Sequence, residues 1–254
     1  MSNIRISGLT VEYGIEGQPR HLALEDVSFE VCSGEFFCVV GASGCGKSTL
    51  VSAIAGFVPP KAGRVEVDGE AIRGPGPDRG VVFQEYALLP WRTVIDNVAL
   101  GLKFRGVGRD ERRRQAAEYL KLTGLEQAAE KYPHELSGGM KQRTAVARTL
   151  VMSPKVMLMD EPFAAVDAQT RVVLQQELLR ICAAQKMTVL FVTHSVEEAV
   201  FLGDRVMVLG RPPHQIKDMI AIDIPREERD WGTIATDPRF AVLSGEVMNR
   251  VRGN

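Results

Sequence analysis

The chain is poor in the features that would place it in a specialised class. It has four cysteines in 254 residues, with no C-x-x-C pair and no neighbouring histidine cluster. Neither a zinc site nor a disulfide framework is therefore encoded, and reduced thiols are expected. No window approaches the roughly 18 apolar residues of a membrane-spanning helix. The N-terminus, Met1 to Leu9, alternates polar and apolar residues where a targeting signal would pair a basic region with an apolar stretch. Work at a membrane must then run through another chain. Net charge is nearly absent too: 31 Lys plus Arg stand against 32 Asp plus Glu, leaving -1. Such a balance supplies no global field for nucleic acid or an acidic lipid face, so any bound anion has to be held locally. Internal repeats and low-complexity tracts are missing. What is present is an ordinary soluble mix, 45% apolar and 25% charged, in a length that suits one large or two small domains.

The order of patterns implies alternating strands and helices. Ile4, Ile6, Val27, Phe29 and Val31 sit in alternating stretches that fit half-buried strands, while Phe36 to Val40 is a continuous apolar run, as in a strand covered on both faces. From Val94 to Leu150 the pattern turns helical: Val94, Val98 and Leu102 space by four, and Arg112 to Leu122 is rich in helix formers before Gly124. This block reads as a helical insertion. Val156 to Met159, Thr188 to Val192 and Arg205 to Leu209 are further strands, with a helix over Thr170 to Ala184. The alternation predicts a largely parallel sheet, whose ligands bind beyond the carboxyl ends of its strands.

Directly after the buried run comes Gly41-Ala42-Ser43-Gly44-Cys45-Gly46-Lys47-Ser48-Thr49, which satisfies G-x-x-x-x-G-K-[ST] at every fixed position. A triphosphate must be met by backbone N–H groups, which only a loop with little side-chain bulk brings close enough, and the following helix adds its positive end. Lys47 is placed to reach the outer phosphates and Ser48 to give a hydroxyl to Mg2+. The spacing is not the G-x-G-x-x-G of dinucleotide folds, which disfavours NAD or FAD.

Val156-Met157-Leu158-Met159-Asp160-Glu161 ends an apolar strand in two carboxylates, a costly arrangement without a partner such as a metal. Asp160 is expected to hold Mg2+, and Glu161 to act as general base on the attacking water. Gln84 and His194 also terminate apolar strands, where a γ-phosphate would lie. Leu136-Ser137-Gly138-Gly139-Met140 precedes a helix from Lys141 to about Leu150, with Ser137 as its N-cap. That makes a second backbone anion site in one chain, which a single nucleotide needs only if another copy shares it.

Taken together, these motifs resemble the nucleotide-binding subunits of ABC transporters, in order and across nearly the whole chain. The resemblance implies an α/β P-loop NTPase: a RecA-like, mostly parallel sheet with an antiparallel β subdomain and an α-helical insertion. It further implies an ATP-binding core over 1–88 and 153–212, a helical subdomain over 89–152 and a C-terminal tail over 213–254. By the same resemblance two ATP molecules, with Mg2+, lie in a head-to-tail dimer, each between one copy's P-loop and the other copy's Ser137, Gly138 and Gly139. Tyr13 would stack on adenine, Gln84 would be the coupling-loop residue beside the metal, Asp167 a dimer-contact residue, and His194 the γ-phosphate switch. Two positions depart from the family pattern: Met140, where Gln is commoner, and Phe163-Ala164-Ala165-Val166 before Asp167, where a Gly- or Ser-containing loop with Leu is usual. Neither removes a group that does chemistry.

The pore is then expected on separate permease subunits, with the helical block and Tyr86 to Trp91 as the docking surface. The implied location is the cytoplasmic face of the inner membrane, with an extracytoplasmic solute-binding protein as an indirect partner. The roughly 45 residues after Leu209 are too few for an added regulatory domain. Gly74 to Gln84, Leu89 to Arg92 and Asp223 to Arg226 resemble the nitrate, sulfonate and taurine importer branch. An ABC-type ATPase acting on nucleic acid would bring a second ATPase half or a coiled-coil insertion. A P-loop kinase or GTPase would leave Leu136 to Met140 without a purpose.

Overall fold

The computed structural model describes residues 2–14, 21–212 and 215–253. The chain opens with β1 (Ile4–Tyr13), β2 (His21–Val31) and β3 (Phe36–Val40), then the glycine loop and α1 (Lys47–Ala55), followed by β4 (Ala62–Val67), β5 (Glu70–Ala71) and β6 (Arg79–Val82). The helical block is α2 (Val94–Val98), α3 (Leu100–Phe104), α4 (Arg109–Leu122) and α5 (Gly138–Leu150). Strand–helix alternation then resumes with β7 (Val156–Asp160), α6 (Ala168–Ala184), β8 (Thr188–Thr193), α7 (Val196–Leu202) and β9 (Arg205–Leu209). The remainder comprises β10 (Ile216–Ala221), α8 (Trp231–Ile234) and α9 (Pro238–Arg252).

Among the described residues these strands form a six-stranded sheet in the order β10-β9-β3-β8-β7-β6 and a four-stranded sheet in the order β2-β1-β4-β5. Only β10 runs antiparallel in the larger sheet, whereas the smaller is antiparallel throughout. Continuous apolar strands lie where two layers cover them. In β3, Phe36, Cys38 and Val40 face a core with α6, α7 and α9, while Phe37 and Val39 face the antiparallel sheet and α1. The same alternation divides Met157 and Met159 from Val156 and Leu158 in β7. Period-two geometry thus turns one apolar run into two half-cores.

A third core joins Val94, Val98, Leu102, Leu120 and Ala147 within the helical block. Val94, Val98 and Leu102 share this core although the helix breaks at Ala99. Helix α5 belongs to both bodies: Ala147 packs inside the helical block, and Val146 and Leu150 pack on the main sheet. It begins at Gly138, three residues before the expected Lys141, because first-turn N–H groups need no intrahelical acceptor and glycines are tolerated there.

Residues 216–252, read from the sequence only as a tail, add β10 to the sheet and pack α9 on α7. Trp231 stacks on Phe201 at 4.3 Å between ring centroids and meets Phe240 edge-on. No helix among the described residues is long and apolar enough to cross a membrane.

Candidate functional site

Parallel pairing sets the ends of three strands level. Val40 lies opposite Thr193, and Asp160 opposite Val192, so the segments after β3, β7 and β8 leave the sheet at one edge. The glycine loop, Asp160-Glu161 and His194 therefore converge from positions over 150 residues apart in sequence. Between them lies a cavity of about 390 Å³ lined by Tyr13, His21, Ser43, Gly44, Gly46, Lys47, Ser48, Thr49, Glu161 and His194, together with Ala23.

Glycine is needed at two points of the loop. Gly46, the N-cap of α1, has φ +102°, and a Cβ there would collide with the carbonyl of Ala23. A Cβ on Gly41 would collide with the carbonyl of Leu209 in the neighbouring strand. Lys47 is buried, and its Nζ donates to the carbonyls of Gly41 at 2.9 Å and Ala42 at 3.3 Å, so the ammonium folds back across the loop. The same Nζ is 3.9 Å from Glu161 Oε1. The Cys45 side chain is buried in the core, and burial raises its thiol pKa, which leaves only its main chain for a ligand.

Ser48 Oγ donates to Asp160 Oδ1 at 3.2 Å. Burial raises the Asp160 pKa; the Ser48 bond and the Lys47 charge pull it down, while the neighbouring Glu161 charge pushes it further up. Among the described residues no cluster of three His, Cys, Asp or Glu side chains could hold a metal by itself. One hydroxyl and one carboxylate fit a hard cation that takes its remaining oxygens from phosphate and water, which is how Mg2+ binds with nucleotides.

Glu161 has φ +45°, an uncommon left-handed backbone for a non-glycine residue, and its N–H donates to Val192 O at 2.9 Å. That bend delivers the carboxylate: Oε2 is 3.2 Å from His194 Nδ1. Tyr13, also lining the cavity, is 40% exposed and its hydroxyl bonds to Thr49 Oγ1 at 3.4 Å. An open aromatic face beside a phosphate loop can accept a nucleobase.

Other expected residues stand apart from this cavity. Gln84 is exposed beyond β6 and is not among the lining residues. Ser137 accepts from Met140 N at 3.4 Å and caps α5 as expected, but Ser137, Gly138 and Gly139 do not line the cavity either. A Cβ on Gly138 would instead meet the Tyr86 hydroxyl at 3.3 Å and the Ala165 carbonyl at 3.6 Å. Asp167 caps α6 by accepting from Thr170 N at 3.0 Å, which lowers its carboxyl pKa. Two lining residues were missed, Ala23 and His21, the latter the cross-strand partner of Tyr13. The signal of His21 was weak, one polar position at the mouth of an alternating strand.

A glycine loop ahead of a helix, with Ser48, Asp160, Glu161 and His194 converging on it, is the nucleotide site of a P-loop ATPase. A family model described as ABC transporter matches residues 24–164. Chains similar to this one include an uncharacterized ABC transporter ATP-binding protein of Methanocaldococcus jannaschii, 51% identical over 223 residues (88% of this chain, 83% of that one). The taurine import ATP-binding protein TauB of Rhizobium johnstonii is 50% identical over 228 residues (89% and 87%). A nitrate import ATP-binding protein, NrtD of a Synechocystis strain, is 46% identical over 236 residues (91% and 89%). Among solved structures, a dimeric ATP-binding cassette in a post-hydrolysis state with ADP and Pi aligns with TM-score 0.76 and 31% identity, over 87% of this chain and all of that one. The chain belongs to the ABC transporter family and is one of its ATP-binding, ATP-hydrolysing subunits.

Proposed function

We propose that this chain powers import of a small anionic or zwitterionic solute of the taurine, sulfonate and nitrate class. It works as a head-to-tail dimer beneath a separate permease, peripheral to the cytoplasmic face of the inner membrane and supplied by a solute-binding protein. The observation that carries the two-copy reading is the separation of the two nests. The P-loop lines the cavity, whereas Ser137 to Gly139 of the same chain are not among its lining residues. A second copy turned head to tail gives that nest a γ-phosphate to meet. The similarity to chains named for taurine and nitrate import supports the solute class. Deleting the gene should abolish cellular uptake of taurine, an alkanesulfonate or nitrate; undiminished uptake of all three would overturn that class.

Within each site the residues divide the work. Backbone amides of the 41–49 loop and the Lys47 ammonium hold the phosphates, and Tyr13 takes the adenine. Glu161 accepts a proton from the attacking water. His194, hydrogen-bonded to Glu161, orients that carboxylate and contacts the γ-phosphate. Ser48 and Asp160, together with Gln84, would hold Mg2+, which would supply charge neutralisation at the phosphates. No nucleic-acid partner is proposed for so neutral a chain.

The core over 1–88 and 153–212 carries this chemistry, and the helical block over 89–152 meets the permease. Trp91 is 71% exposed and Phe104 81% exposed, apolar side chains of this block left open to a membrane subunit. Asn97, fully buried, fixes the turn that presents Trp91 through bonds to Leu89, Arg92 and Thr93 carbonyls and from the Leu89 N–H. Arg148 on α5 donates to the carbonyls of Tyr86 and Ala87, which ties the signature helix to the segment after Gln84.

The raised pKa of Asp160 gives a pH test. Protonated Asp160 cannot hold Mg2+, so Mg2+-dependent ATP affinity should follow its ionisation. It should fall on acidification earlier than an ordinary aspartate would require. Titrating ATP binding with and without Mg2+ across pH measures this, and Asp160→Asn should remove the Mg2+-dependent step.

A further inference from the structure

The P-loop is buttressed by two side chains that lie after β9, about 170 residues downstream. Gln215 is only 3% exposed, and its Nε2 donates to Cys45 O at 2.8 Å and Gly210 O at 3.0 Å. Its Oε1 accepts from Glu25 N at 3.0 Å, and Nε2 lies 3.5 Å from Ala23 O. Arg211 Nη2 donates to Ser43 O at 3.2 Å. One carboxamide thus joins the P-loop, β2 and the end of β9, with all its hydrogen-bonding groups engaged.

The partners matter because of peptide geometry. In a planar trans peptide the carbonyl of one residue and the N–H of the next point in opposite directions. Drawing the Cys45 carbonyl toward Gln215 therefore turns the Gly46 N–H the other way, and Gly46 lines the nucleotide cavity. The Ser43 carbonyl, held by Arg211, sets the Gly44 N–H in the same manner, and Gly44 also lines the cavity. Converging N–H dipoles repel one another when no anion is present, and glycines offer little resistance to a peptide flip. Something must hold these planes.

We propose that Gln215, assisted by Arg211, is a positioning residue that presets the P-loop amides for phosphate before ATP arrives. Through Glu25 and Ala23 the same carboxamide ties the phosphate end of the cavity to β2, whose His21 and Ala23 line the nucleobase end. A neutral amide suits the position: it donates to carbonyls and accepts from an N–H without placing a negative charge near the phosphates, as glutamate would.

The test is a split between KM and kcat. Gln215→Met, similar in length but without donors, should raise the KM for ATP about tenfold with kcat within about twofold, the pattern of lost binding shared by ground and transition states. Gln215→Glu retains the acceptor for Glu25 N–H and should bind ATP more weakly than Gln215→Met. Arg211→Ala, at an exposed position, should raise KM about threefold with no change in Tm. Unchanged KM in Gln215→Met alongside a lowered Tm overturns the proposal, because packing alone would then account for the residue. Should Gln215→Met fail to fold, Arg211→Ala decides: a raised KM supports the positioning role and an unchanged KM overturns it.

Discussion

Replacing Glu161 by Gln should leave ATP binding intact and lower turnover by roughly 10²- to 10⁴-fold, the usual contribution of a positioned general base. The amide has the size of the carboxylate and can still meet His194 Nδ1, now at 3.2 Å from Glu161 Oε2, but it cannot take a proton from water. Binding should not suffer, because the substitution removes a charge that competes for Lys47, whose Nζ is 3.9 Å from Glu161 Oε1. Released from that carboxylate, Lys47 is freer to meet phosphate. Two measurements decide the matter: an equilibrium ATP titration and a single-turnover hydrolysis rate. The variant should also accumulate as an ATP-bound dimer in size-exclusion chromatography. Hydrolysis within about threefold of the parent rate would remove Glu161 from the role of base.

A complementation experiment carries the second large effect. Ser137→Arg places a bulky cation in the α5 nest and removes the cap on Met140 N, a loss of about 1 kcal/mol that the fold should tolerate. As a homodimer it should hydrolyse ATP at least about a hundredfold more slowly, because both shared sites lose one wall. Lys47→Ala should be comparably impaired, because both sites lose the phosphate cation. Mixing the two chains restores one intact site in each mixed dimer, built from the P-loop of the Ser137→Arg copy and the nest of the Lys47→Ala copy. With random pairing and independent sites, activity should return to about a quarter of the parent value. If each chain used its own P-loop and its own nest, every site in the mixture would be damaged and no activity would return. Absence of recovery, with dimers demonstrably formed, would sink the shared-site reading.

Much of this site could be read before any tertiary structure was known, for a local reason. Backbone anion sites are built from contiguous residues, so glycine spacing, a following helix and a lysine at its first turn report the chemistry directly. The same held for Ser137, because an N-cap is a matter of four consecutive residues, and for β3, whose double burial shows as an unbroken apolar run. The residues missed share the opposite property. His21 matters only because antiparallel register sets it across from Tyr13. Gln215 and Arg211 matter only because β9 runs beside β3, which brings the segment after β9 under the glycine loop. Residues 216–252 carry no strong motif, yet β10 and the contact of Trp231 with Phe201 make them part of the core.

Sequence by itself determined which chemical groups the protein owns, the family it belongs to and the alternation that produces a parallel sheet, since each of these is written in short-range spacing. Only the tertiary structure decided that Glu161, Lys47 and His194 meet around one cavity while the Ser137 nest stands outside its lining. Strand order and register bring together groups distant in the chain, and no local pattern encodes a distance between them.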